Sequence, residues 1–344
     1  MEILTYDQVT EHLKKVHRKK HLLLGNGFSM AYNPEIFSYN ALSQLIDDSD
    51  DELLVKLFDT IDTRNFEQIM KQLDLSREII HAFGGSEDIL SKIDQTSKKL
   101  KESLITTVKE LHPEHVFTIP EETCVTCAEF LRDYLDNDGK IFSTNYDILL
   151  YWVLMRNGIT NAIDGFGKDV IEQDEWTPDE ETLFTDLFWG NHKEEQNVFY
   201  LHGALPLFDN GIDIIKEVYD GNYILSNIKK RMDNGQYPLF VTAGNGSQKL
   251  SHIRHNHYLT YCYDSLCSIG GSLITFGFNF GEYDDHIIDA INKAANQEVE
   301  KKLWSIYIGV YSRDDISRIE NIKDMFKCKK VHLFDSSTVK VWKN

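Results

Sequence analysis

The stretch His21-Leu22-Leu23-Leu24-Gly25-Asn26-Gly27-Phe28-Ser29 is an apolar run that ends in Gly-x-Gly, with a serine shortly after. This is the pattern of a buried parallel strand that turns sharply into a helix. Gly25 permits the tight turn and Gly27 a close backbone approach, because neither carries a Cβ. The backbone N–H groups that follow, together with the Ser29 hydroxyl, are suited to a phosphate. The third glycine of the dinucleotide fingerprint is missing, so a plain βα turn also satisfies this stretch. The rest of the chain decides between the two.

Working outward, further apolar runs occur at 140–143, 198–201, 239–242, 272–276, 303–310 and 331–334. Helical spacing occupies the intervals at 122–136, from Asn145-Tyr146-Asp147 onward, at 256–269 and at 284–296. A first helix at 6–18, with Asp7 as its N-cap, precedes the strand at 22–24. Near-continuous apolar strands alternating with helices predict an α/β fold, a Rossmann-like doubly wound parallel sheet. Residues 42–120 carry apolar positions at helical spacing, such as Leu53, Leu57, Phe58, Ile61, Leu100, Leu104 and Val108. They read as a helical module inserted into one domain that spans 1–344. Residues 158–197 are irregular, with an acidic run at 172–181, and read as a lid or as a solvated surface segment.

The chain has 344 residues, with 36 basic against 55 acidic and a net charge of −19. That balance repels phosphate backbones, so no direct nucleic-acid partner is expected. No run of about 18 apolar residues exists, and the first twenty are polar, so neither a membrane span nor a signal peptide is expected. Five cysteines suit reduced thiols in a cytoplasm better than a disulfide framework. Cys124 and Cys127 share one face of the helix at 122–136 and read as core thiols, half a zinc site being the minor option. No metal is expected.

In open α/β sheets ligands bind outside the carboxyl ends of the strands. Five expected strand ends carry small or polar groups: Gly25-Asn26-Gly27, Ser143-Thr144-Asn145-Tyr146-Asp147, His202-Gly203, Gly244-Asn245-Gly246 and Gly277-Phe278-Asn279. Asn145 can orient a hydroxyl or a water, and Asp147 can accept from a ribose hydroxyl. His202 titrates near neutrality and suits a general base. The simpler readings are that Asn145 and Asp147 cap a helix, that His202 is a core histidine, and that Gly244–Gly246 is a turn.

Taken in this order, the motifs resemble the sirtuin-like superfamily. The chain looks closest to a bacterial sirtuin-like branch known as a domain of unknown function, DUF4917. Asn65-Phe66-Glu67 and Phe280-Gly281 are supporting features. The resemblance implies cleavage of the nicotinamide–ribose bond of NAD+. It places Gly25, Gly27 and Ser29 along the pyrophosphate, with Asn26 and Phe28 in the wall near the nicotinamide. It places Asn145 and Asp147 at the nicotinamide ribose and Gly277 and Asn279 on the adenosine side, with Thr144, Gly244 and Asn245 also among the residues that bind the dinucleotide. Asn145 would orient the ribose or the attacking water, and His202 would take the proton. The four-cysteine zinc module of protein deacylases is missing, since no cysteine lies between His202 and Cys262. Relatives without that module are often NAD+ hydrolases of anti-phage defence. A free NAD+ hydrolase would be toxic, so gating by self-assembly, by a partner protein or by a ligand is expected. A non-catalytic NAD+ or ADP-ribose sensor, a deacylase or ADP-ribosyltransferase, and a partner-binding scaffold are the other readings.

Overall fold

The computed structural model describes residues 3–34, 52–61, 66–113, 115–169, 186–221, 223–234, 236–241, 246–281, 283–298 and 302–343. Along the chain the strands are β1 (Ile3–Leu4), β2 (Lys20–Leu24), β3 (Ile141–Ser143), β4 (Phe166–Gly167), β5 (Leu187–Trp189), β6 (Val198–Tyr200), β7 (Gly203–Asp209), β8 (Ile214–Lys216), β9 (Pro238–Phe240), β10 (Gly271–Phe276), β11 (Leu303–Val310) and β12 (Lys330–Asp335). The helices are α1 (Tyr6–Lys15), α2 (Gly27–Tyr32), α3 (Glu52–Ile61), α4 (Phe66–Ala82), α5 (Glu87–Leu111), α6 (Glu121–Leu135), α7 (Leu149–Arg156), α8 (Ile224–Asp233), α9 (Gly246–His255), α10 (His257–Cys267), α11 (Asp285–Ala295) and α12 (Arg313–Ile322).

Seven strands form an all-parallel sheet in the order β1, β12, β11, β10, β2, β3, β6. Set aside the two-residue edge strand β1. Read from β6, the remaining strands then run third, second, first, fourth, fifth, sixth in chain order. This is the strand order of dinucleotide-binding sheets, with its topological switch point between β2 and β10. The chain builds outward from β2 through β3 to β6, then returns to the other side of β2 with β10. Leu22, Leu23, Leu24, Ile141, Phe142, Val198, Phe199, Leu273 and Ile274 are all fully buried. Successive strand residues point to opposite faces, so both faces of the central strands are covered. Helix α6 packs on β2 and β3, α10 on β6, and α11 and α12 on β11. Each buried leucine of β2 stabilises the fold by roughly 2 kcal/mol relative to exposure.

A second, antiparallel sheet has the order β4, β5, β8, β7, β9. The chain passes into it from β6 through Leu201 and His202. Gly203 makes the junction: its φ is +79°, and a Cβ there would lie 1.8 Å from the Leu239 carbonyl oxygen. The strand expected at 239–242 is β9, which returns antiparallel to β7 rather than joining the parallel sheet. Pro238 opens this edge strand, where a missing N–H is tolerated. The stretch expected to be irregular at 158–197 contributes β4 and β5, and Trp189 there is buried, its Nε1 donating to Gln196 Oε1 at 2.9 Å. The acidic run at 172–181 lies outside the described residues.

Two local expectations differ. Helix α1 is capped by Thr5, not Asp7: the Thr5 hydroxyl accepts from the Gln8 N–H, and Gln8 Oε1 accepts from the Thr5 N–H at 2.8 Å. Asp7 sits in the first turn, where a carboxylate suits the helix dipole. Asn145-Tyr146-Asp147 does not begin a helix; α7 starts at Leu149. The helical stretch expected at 42–120 contains α3, α4 and α5, of which α4 and α5 pack together. Cys124 and Cys127 lie on the buried side of α6, and burial pushes both thiols up. Among the described residues no helix is long and apolar enough to cross a membrane.

Candidate functional site

At the switch point two backbones touch. The Gly25 N–H donates to the Phe276 carbonyl at 3.0 Å, and the Gly27 N–H to the Gly277 carbonyl at 2.9 Å. A Cβ on Gly25 would lie 2.5 Å from Gly277 O, and one on Gly27 would lie 2.5 Å from Gly277 Cα. Gly277 has φ +66°. The close approach that Gly25 and Gly27 permit is therefore made by the chain's own Gly277 loop. The Gly27 N–H, counted from sequence toward a phosphate, is committed to Gly277, and the Phe28 N–H donates to Gly25 at 2.9 Å. Asn26 and Gly27 stay half-buried and Asn279 is exposed, all at the carboxyl ends of β2 and β10. Phe28 is buried beneath Trp342, with ring centres 4.9 Å apart, and the Trp342 indole N–H donates to the Phe28 carbonyl at 2.8 Å.

Beside the switch point, Ser29, Asn145 and Asp147 meet. The fully buried Ser29 hydroxyl donates to Asp147 Oδ2, and Asn145 Nδ2 donates to Ser29 Oγ at 3.1 Å. Asp147 Oδ1 accepts from the Leu149 N–H at 2.9 Å, so it also holds the start of α7. A serine has one proton to give. It goes to Asp147, so Asn145 must present its NH2 to Ser29. This fixes the amide and leaves Asn145 Oδ1 buried with no partner. Burial raises the Asp147 carboxyl above the usual carboxylate range, and the Ser29 and Leu149 hydrogen bonds oppose that shift. Thr144 is spent on structure: its N–H and hydroxyl both donate to the Leu24 carbonyl, at 3.1 and 3.2 Å.

His202 stands just past the end of the adjoining strand β6. In the β3–β6 register Ser143 faces Tyr200. Asn145 and His202 each follow two residues later, at the same carboxyl end of neighbouring strands, which lie about 4.8 Å apart. His202 Nε2 is 2.8 Å from His286 Nε2, and the rings stack with centres 5.0 Å apart. One nitrogen donates and the other accepts, so a single proton lies between two neutral imidazoles. Burial, then His286, then Lys249 hold His202 well below its ordinary pKa. Burial and Lys249 hold His286 down at about 3. Lys249 is buried and pairs with Asp284 at 3.4 Å. His286 Nδ1 is buried with no partner. Tyr146 packs by this pair, its ring centre 6.4 Å from that of His202, and its hydroxyl donates to the Val241 carbonyl at 2.7 Å.

The sequence profile of the family described as domain of unknown function DUF4917 matches residues 22–342. The chain belongs to the DUF4917 family. No curated protein matches it. The matched span opens at the first buried leucine of β2 and closes on Trp342, so it contains both polar clusters of this DUF4917 chain.

Of the residues singled out from sequence, the DUF4917 fold brings Gly25, Gly27 and Gly277 into backbone contact, and Ser29, Asn145 and Asp147 into one network. His202 lies one strand further on. Gly244 and Asn245 lie outside the described residues, as does Asn65, and no side-chain position is described for Phe66 or Glu67. The fourth of the five expected strand ends follows β9, which belongs to the antiparallel sheet instead. Sequence reasoning missed His286, Lys249 and Asp284. The only signal was Asp284-Asp285-His286 just past the Gly277 motif, which reads as an ordinary helix start. Among the described residues no three His, Cys, Asp or Glu side chains converge as metal ligands. Chemically the arrangement offers a fixed amide acceptor at Asn145 and a neutral imidazole pair at His202.

Proposed function

We propose that this DUF4917 protein binds NAD+ at the carboxyl end of the parallel sheet and hydrolyses its nicotinamide–ribose bond, giving nicotinamide and ADP-ribose. One observation carries the reading: the strand order sets Asn145 and His202 on adjacent strand ends beside the switch point, where sheets of this order take dinucleotides. The likeness of its motifs to the sirtuin-like superfamily supports it. Asn145 Oδ1, buried without a partner, would accept from a ribose hydroxyl or from the attacking water. Ser29 and Asp147 keep that amide from rotating. The water oxygen bonds to the anomeric carbon while the C–N bond breaks, and its electron pair neutralises the pyridinium nitrogen. His202 takes the proton that the water loses; it is neutral in this buried site, and the same burial makes it a weaker base than a free imidazole. Cellular NAD+ would be depleted, in keeping with a role in phage defence gated by self-assembly or a partner.

A second reading is binding without turnover. It is favoured by the commitment of the Gly27 N–H and of His202 Nε2 to internal partners. Purified protein incubated with NAD+ over a range of protein concentrations separates the two. Nicotinamide release should occur, and Asn145→Ala and His202→Ala should each lower it by about 100-fold or more. Undiminished turnover in both variants would sink the assignment, and calorimetric binding without turnover would establish the sensor.

A further inference from the structure

The amino end of the parallel sheet carries a feature that the carboxyl-end site does not use. In a chain of net charge −19, residues 14–21 read Lys14-Lys15-Val16-His17-Arg18-Lys19-Lys20-His21. This run leads from α1 into β2. Lys140 stands just before β3, Lys302 just before β11, and Lys329 and Lys330 at the start of β12. The parallel register puts all of these at one end of the sheet. Four strand intervals of about 4.8 Å, from β12 to β3, give a cationic band roughly 19 Å long.

The band is gathered around one ring. The charged groups of Arg18, Lys302 and Lys329 lie 5.3, 5.1 and 4.2 Å from the centre of the Trp304 ring. The indole attracts each cation and so holds three like charges together. Among the described residues none of these three, nor Lys19 or Lys330, is ion-paired; Lys20 is, with Asp133. Acidic residues close to the band in sequence include Asp136 and Asp138 before β3 and Glu298 before β11. Lys19 adds to burial in lowering the pKa of Lys140, so the cations act on one another. Lys19, Lys329 and Lys330 are exposed. A crowd of like charges with few ion-pair partners works against the isolated fold. An external polyanion supplies the missing partner.

We propose that this band is a docking surface for the phosphodiester backbone of a nucleic-acid strand. Evenly repeated phosphates match a row of cations set by strand spacing. A bilayer is a poorer match, since Val16 is the one large apolar side chain exposed in the run 14–21. Net charge argues against nucleic acid, but at physiological salt charges are screened beyond about 8 Å, so the local band decides. The surface lies at the opposite end of the strands from Asn145 and His202 and does not depend on the proposed activity.

The test is fluorescence anisotropy of a labelled single-stranded DNA of about 30 nucleotides with the full chain, across a salt series. Contact with about five phosphates predicts a log–log salt slope of roughly −3.5. The combined Arg18→Glu, Lys302→Glu, Lys329→Glu variant should weaken binding by at least about 30-fold. The milder Lys19→Gln, Lys330→Gln pair, with an unchanged circular dichroism melt, should weaken it by about 5-fold. Reversal of Lys56, Lys229 and Lys230 makes the same change of net charge elsewhere and should leave binding intact. Absence of salt-dependent binding, or binding that ignores the band variants, would overturn the proposal. So would a band that binds only phosphatidylserine vesicles or only a second copy of the chain.

Discussion

Ser29, Asn145 and Asp147 form one buried polar cluster at the carboxyl end of the parallel sheet; His202, His286 and Lys249 form another close by. The first is built around an anion. Asp147 has hydrogen bonds to both oxygens, from Ser29 and from the Leu149 N–H. Burial with donors on every side keeps such a network rigid. In the second, no carboxylate among the described residues bonds to either imidazole, and Asp284 is turned to Lys249. Burial there keeps both rings uncharged. The two clusters thus separate two duties: one fixes geometry, the other responds to protons.

Substitutions can sharpen that contrast. The largest effect should come at the strand junction that carries His202. Gly203→Ala puts a methyl 1.8 Å from the Leu239 carbonyl at a φ of +79°, and should cost about 3 kcal/mol or more in urea unfolding. Ser29→Ala leaves Asn145 Nδ2 and Asp147 Oδ2 without their partner and should cost about 2 kcal/mol in urea unfolding. The smallest effect is a change of slope. The folded pKa of His286, about 3, lies below the unfolded value of 6.5. Between those values the unfolded state binds the extra proton, so stability is lost as pH falls. The loss is about 1.4 kcal/mol per pH unit. His286→Asn should make the fall between pH 6 and pH 5 shallower by about that amount. An unaltered slope would mean that the pair is not the proton-responsive cluster. His21 and His112, also held at about 3 by burial, contribute with the same sign in both proteins.

Sequence reading succeeded where local pattern and tertiary role coincide. β2, β3, β6 and β10 are apolar runs because both of their faces are covered, and that signal survives in the chain alone. Side chains at their ends could be paired in prospect as parts of one site for the same reason. The antiparallel sheet was not legible. Of its strands only β9 shows in the sequence, as the apolar run at 239–242; β4, β5 and β8 are two or three residues long, too short for alternation to show, and β8 holds Lys216. Lys216 is nonetheless buried, paired with Asp164 and lying 4.8 Å from the Tyr151 ring centre. His286 was invisible for another reason. It occupies a buried position of an amphipathic helix, and only the sheet's order brings that helix to His202. The glycines were read for the right property, close approach, but sequence does not say what approaches.

Trp342 links the far end of the matched span to the first turn after β2. Its indole lies against Phe28 and Tyr32, with ring centres 4.9 and 5.2 Å away, and is itself shielded from water. The protein thus carries an intrinsic fluorophore packed against α2. If a ligand pries the Gly27 turn from Gly277, emission from this one indole shifts to longer wavelength as water reaches it. The four remaining tryptophans can be replaced by phenylalanine to isolate that colour change.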